Sequence, residues 1–147
     1  MSARAQTAYA ATSGIAHRRD VPLIRSDAFR RITGISERQL QWWSEKRILD
    51  CDVVGHTRWF SINEGIVAHV IQRSRRAGVL RAGQVRQATV TIRAAIRSRV
   101  PQYLIVTSRG IIAAESEHKL VETILRVQEP CIALRLWPIY EALTEAI

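Results

Sequence analysis

The segment Ile32-Thr33-Gly34-Ile35-Ser36-Glu37-Arg38-Gln39-Leu40-Gln41-Trp42-Trp43-Ser44-Glu45-Lys46-Arg47-Ile48-Leu49 reads as two helices and the turn between them. A short apolar helix runs into Gly34, whose freedom to take a positive φ suits the turn. Ser36 then caps a second helix. At about 100° per residue, Ser36, Leu40, Trp43 and Arg47 fall within about 60° of each other, while Arg38, Gln41, Trp42 and Glu45 fall on the opposite side. A helix packed through Leu40 and Trp43 therefore presents an arginine, a glutamine and an indole outward from its first two turns. A helix-turn-helix reading helix is built in this way.

Upstream, Ser26-Asp27 can cap a helix running to about Thr33, with Phe29 and Ile32 on its inner face. Residues 1–22 read as a flexible basic arm ending near Pro22. Residues 1–19 lack acids, loosely like an organellar transit peptide, and also lack the apolar core of a secretory signal. Downstream, Cys51 to Phe60 reads as two short strands around a turn near Gly55-His56, a wing. Ser61 or Asn63 caps a third helix with Ile62, Ile66, Val67, Val70 and Ile71 inward. His69 is expected on its surface, Arg73, Arg75 and Arg76 lie toward its end, and Gly78 stops it. A fourth helix is expected from about Ala82 to Arg99, striped by Val85, Ala88, Ile92 and Ala95/Ile96, with Pro101 ending it.

The remainder differs in kind. Tyr103 to Thr107 is a continuous apolar strand, Ser108-Arg109-Gly110 a turn, and Ile111 to Ala114 a second strand. Glu115 to Val127 reads as an amphipathic helix with Leu120, Val121, Ile124 and Leu125 inside. Cys131 to Leu136 is a third strand, and Pro138 suits the first turn of a closing helix. Forty-odd residues in this order bury little surface alone, so the unit is expected to pack on the first domain or on its own copy. The fold class expected is α+β. A winged helix-turn-helix of four helices and a two-stranded wing over 23–100 is followed by a small β-β-α-β-α unit over 101–147.

At 147 residues and 47% apolar content the chain has material for one ordinary domain and a core. The formal charge of +9 is uneven. Residues 1–100 hold 18 Lys and Arg against 7 Asp and Glu, whereas residues 101–147 hold 4 against 6. Seventeen of the 18 basic residues in the first part are arginines, which suit bidentate phosphate and guanine contacts. An arginine excess coinciding with a helix-turn-helix pattern favours nucleic acid over a merely solvated basic face. Cys51 and Cys131, 80 residues apart, form no metal or disulfide framework, and they suit small packed hydrophobes. No apolar run approaches the ~18 residues that span a membrane. No cofactor or metal is expected, and the expected location is the cytoplasm, associated with the nucleoid. Enzyme readings find no Gly-rich phosphate loop and no paired carboxylates in an apolar context; Cys51 near His56 is the one candidate dyad, on a strand where a structural thiol is the commoner case.

The order helix, turn, helix, wing, helix and a glycine-ended junction into a fourth helix resembles the MerR-like winged-helix DNA-binding domain. The resemblance rests on Ile35-Ser36, Arg38, Leu40, Trp42-Trp43 and Ile48-Leu49 in the second helix, Arg58 and Phe60 in the wing, and Arg75-Arg76-Ala77-Gly78 at the junction. It covers about residues 26–90. Three departures accompany it. Trp42-Trp43 replaces the usual tyrosine pair, His56 and Thr57 replace a glycine and an aromatic, and Pro101 with a β-containing unit stands where many members carry a long dimerising helix. Metal sensing is not carried over, because neither cysteine lies in a comparable setting.

The resemblance implies sequence-specific binding of double-stranded DNA by a bacterial-type transcription regulator. Residues 101–147, too few to bury much surface alone, are expected to join two copies into a homodimer. Two other readings stand beside it: an antitoxin-type protein whose C-terminal unit binds a protein partner, and an excisionase-like DNA bender. The candidate contacts are Arg38 to a base or phosphate, against a surface ion pair with Glu45 or Glu37; Gln41 to adenine; and Trp42 against the backbone or wing. Arg58 and His56 on the wing, Arg30 and Arg31 on the first helix, and Ser36 at the second helix's start complete the set. Trp43 is expected to be core.

Overall fold

The computed structural model describes residues 21–147, so the expected arm over 1–22 lies outside the described residues except for Val21 and Pro22. The described chain is an α+β fold of six α-helices and two three-stranded antiparallel sheets. Its elements run β1 (Leu23–Arg25), α1 (Ser26–Thr33), α2 (Glu37–Glu45), β2 (Asp52–Val54), β3 (Thr57–Ser61), α3 (Ile62–Arg76) and a short 3-10 turn (Ala82–Gln84). They continue with α4 (Val85–Ile96), β4 (Tyr103–Thr107), β5 (Ile111–Ala114), α5 (Glu117–Arg126), β6 (Cys131–Arg135) and α6 (Trp137–Glu145).

The first sheet corrects the two-stranded expectation. β3 is central, with β2 on one side and β1 on the other, in the register Leu23 to Ser61, Ile24 to Phe60 and Arg25 to Trp59. Three residues between a proline and a helix are too few to show an alternating pattern. Burial of Ile24 and the stacking of Phe29 on Phe60, 4.1 Å between centroids, hold the strand in place. The start of α1 is also corrected. Arg25 takes the capping position without a side-chain bond, and Asp27 Oδ1 instead accepts from the Ala28 N–H at 2.9 Å.

Ser61 caps α3, its Oγ accepting from the Glu64 N–H at 3.2 Å. The inward residues Ile66, Val67, Val70 and Ile71 are fully buried. His69, expected on the surface, is half-buried; desolvation and then the nearby Arg73 charge lower its pKa to about 4. It lines a groove with Ile32, Ala133, Arg135 and Ile139, so its neighbours come from α1 upstream and from chain more than sixty residues downstream. Helical periodicity cannot report such a neighbour. α4 is shorter than expected, beginning after the 3-10 turn and ending at Ile96, with Val85, Ala88, Ile92 and Ile96 on its buried side.

Two contacts fasten α3. Glu64, buried on its first turn, accepts from Arg93 Nε and Nη2, both at 2.8 Å, and from the Asp50 N–H at 2.7 Å. Arg93 Nη2 also donates to the Ile48 carbonyl at 3.0 Å, so the end of the α2 segment, α3 and α4 share one polar junction. One residue on, Gly65 lies against α6. A Cβ there would stand 2.6 Å from Leu143 Cδ2, which explains a glycine inside a helix.

The second sheet has β4 at its centre between β5 and β6. Leu104, Val106 and Leu134 on its inner face join Leu136, Ile139 and Leu143 in one hydrophobic cluster with Phe29, Leu40, Trp43 and Phe60. Tyr103, Ile105 and Ala114 on its outer face form a second cluster, packed by Leu120 and Cys131. The expectation for α5 fails here. Only Leu120 of its apolar residues packs inward; Val121 and Leu125 are 56% and 80% exposed, and Ile124 is exposed as well. The outer cluster is small, and one row of α5 covers it, so the second apolar row is left facing out. No helix among the described residues is long and apolar enough to cross a membrane.

Candidate nucleic-acid interface

Gly34, at φ 77°, ends α1 and donates its N–H to the Arg30 carbonyl at 2.9 Å. That left-handed residue turns the chain into Ile35 and Ser36, where a side chain would be strained. Ser36 Oγ accepts from the Gln39 N–H at 3.1 Å and so starts α2, as expected; its hydroxyl is engaged in the cap. Leu40 and Trp43 are 3% and 5% exposed, whereas the adjacent Trp42 is 52% exposed, and Arg38 and Gln41 are exposed with it. The helix thus buries one side only.

On the open side the residues differ in availability. Neither Glu37 nor Glu45 pairs with Arg38: Glu37 Oε2 lies 3.9 Å from Arg30 Nη1, and Glu45 Oε1 accepts from Gln41 Nε2 at 3.0 Å. Arg38 is therefore the cation on α2 left facing solvent, while Gln41 spends one of its two amide N–H donors on Glu45. Arg30 has its Nε buried without a hydrogen-bond partner, which makes it partly a packing residue; Arg31 is exposed.

The β2–β3 hairpin turns at Gly55, φ 63°, with His56 exposed at its tip. Arg58 is half-buried opposite Val53 and lines a cleft of about 710 Å³ with Arg47, Glu45, Cys51 and Arg93. The hairpin and the C-terminal end of α2 thus face one depression. Burial raises the Cys51 thiol above its ordinary pKa, against the opposing pull of a Ser44 hydrogen bond and the Arg58 charge. A thiol held protonated is a poor nucleophile.

A second cleft, of about 380 Å³, lies along α2 and is lined by Gln39, Trp42, Trp43, Arg75 and Arg86. Arg86 reaches the Lys46 carbonyl with Nη2 at 3.1 Å, and Arg75 reaches the Leu80 carbonyl with Nη1 at 3.4 Å. Arg76 Nη2 stands 3.4 Å from the Gly34 carbonyl, beside the α1–α2 turn. The structure thus brings Trp42 together with Arg75 and Arg86, which come from α3 and α4. Arg86 was absent from the sequence-derived set. Its place on the polar side of the α4 stripe was readable, but its approach to α2 is a tertiary fact. No protein-family model matches the chain, and no curated protein matches it.

Proposed function

We propose that this chain is a double-stranded DNA-binding protein, a winged helix-turn-helix of the MerR-like kind acting in transcription regulation, with α2 as its reading helix. In this reading α1, Gly34 and α2 are the helix-turn-helix, the β2–β3 hairpin is the wing, and α3 and α4 buttress both. The observation that carries it is the one-sided burial of α2: Leu40 and Trp43 are sunk in the core, while Arg38, Gln41 and Trp42 face out along its first two turns. A helix of this kind fits a major groove, where an arginine reads guanine and the neighbouring cations hold phosphates. Arg31, Arg75 and Arg86 supply those cations on the flanks, and Arg58 supplies one from the hairpin.

Selection of genomic fragments on the purified full chain tests the reading. Recovery of a shared short sequence motif, bound more tightly than bulk duplex, is the expected result. Equal retention of all fragments, or of none, overturns sequence-specific binding.

A further inference from the structure

β5 is an edge strand whose own residues carry no edge protection, and α4 packs against it on the inner face of the sheet. Natural edges carry charges, proline or very short strands, because their unpaired N–H and C=O groups template further pairing. β6, on the other side of the sheet, follows Pro130 and carries the exposed Arg135, and β1 and β2 are three residues long. β5 is Ile111-Ile112-Ala113-Ala114, with no charge and no proline.

Its pairing with β4 fixes which main-chain groups point outward. Thr107 donates its N–H to the Gly110 carbonyl at 2.9 Å, and the register runs Val106 to Ile111, Ile105 to Ile112 and Leu104 to Ala113. Hydrogen-bonded and non-hydrogen-bonded pairs alternate along an antiparallel ladder. Ile112 therefore bonds inward to Ile105, while Ile111 and Ala113 aim their N–H and C=O groups out of the sheet.

Side chains beside this edge are apolar too. Ile112, 42% exposed, lies on the outer face with Ile105 and Ala114, the face α5 covers. α5 packs over β4 and β5 on that face and leaves its Val121, Ile124 and Leu125 exposed. The occupant must offer a strand and an apolar ridge together. A second copy offers both. Charge favours it: residues 101–147 are nearly balanced, at 4 basic against 6 acidic, so two such units meet without the repulsion of the arginine-rich part. On α5, Glu122 is already within 3.4 Å of Arg126, and an antiparallel partner helix presents the same pair in reverse order along its flank.

We propose that two copies join their β5 strands antiparallel about a two-fold axis, with Ile112 of one copy opposite Ile112 of the other. This makes one six-stranded sheet with the two α5 helices side by side on its outer face. In this register Ile111 and Ala113 of one copy exchange main-chain hydrogen bonds with Ala113 and Ile111 of the other. The inference rests on the sheet edge and is independent of any contact to DNA.

Sedimentation equilibrium of the full chain tests it, with circular dichroism as the check on folding. The wild type is expected to be a dimer. Ala113→Pro removes one outward N–H per copy and two per dimer. At about tenfold per bond the dimer weakens about hundredfold, without touching β4 pairing. Leu125→Lys, on a side chain four-fifths exposed in the monomer, is expected to weaken it as well and decides the matter if Ala113→Pro misfolds. In a Cys51→Ser, Cys131→Ser background, Ile112→Cys is expected to form an intermolecular disulfide under mild oxidation. A monomeric wild type overturns the proposal. So does a dimer that folded Ala113→Pro and Leu125→Lys leave intact, or a different protein found in stoichiometric complex in place of the second copy.

Discussion

Replacing Glu64 with alanine tests the junction that positions α2. The carboxylate is buried and accepts three hydrogen bonds, two from Arg93 and one from the Asp50 N–H, all at 2.7–2.8 Å. Alanine removes every one and leaves Arg93 with the Ile48 carbonyl alone. Removing one partner of a buried pair costs about 3–5 kcal/mol, because the other charge stays desolvated. Arg93 is a third exposed and can turn partly to water, so the low end applies, about 3 kcal/mol. At about 2–4 °C per kcal/mol for a chain of this size, the melting temperature falls by about 6–12 °C. Urea unfolding at neutral pH is the assay, with a lower midpoint and an unchanged slope as the signature. Glu64→Leu combined with Arg93→Met should recover most of the loss, since an apolar pair leaves no charge buried. A Glu64→Ala protein within about 0.5 kcal/mol of wild type refutes this account of the junction.

Gly65→Ala should destabilise by about 1–3 kcal/mol, because its Cβ would meet Leu143 at 2.6 Å. In a Leu143→Ala background the same change should turn neutral or favourable, and calorimetry of the four proteins measures the coupling between α3 and α6. His69 titrates at about 4 in the folded chain, below the ordinary 6.5, so folding favours its neutral form. Its contribution is complete above about pH 6.5 and is lost as pH falls toward 4, a loss of about 1–3 kcal/mol for a half-buried ring. A His69→Gln protein should show a flatter stability profile between pH 4 and 6.5; the same slope in both proteins would remove His69 as the cause.

Much of the α1–α2 segment was legible because each signal there is local. Gly34 needs positive φ, Ser36 bonds three residues on, and Leu40 and Trp43 lie on one side by the helical period alone. The bounds of β4 and β5 were legible for the same reason, as two apolar runs around a short turn. What escaped depends on partners distant in sequence. β1 exists because β3 offers an edge and Phe60 a surface, His69 faces a groove shared with α1, β6 and α6, and Arg86 meets α2 only through the packing of α4. The α5 error has a sharper lesson. Amphipathic periodicity says that a helix has an apolar side, and it does not say that the same chain supplies enough surface to cover it. Leu125 is the residue that shows this, apolar in pattern and bare in the structure.

The most direct test of α2 as a DNA-reading helix is fluorescence anisotropy on a selected duplex, measured across a series of salt concentrations for wild type, Arg38→Ala and Arg58→Ala. Both side chains are solvent-facing or half-buried, so the variants are expected to fold as wild type. Arg38→Ala should weaken binding about tenfold to hundredfold if it reads a base, with lost discrimination against mutated duplexes. Arg58→Ala should weaken binding to all duplexes and reduce the salt slope by about 0.9 for its phosphate. Full affinity, unchanged sequence preference and an unchanged salt slope in both variants would contradict the assignment of α2 and its hairpin to DNA.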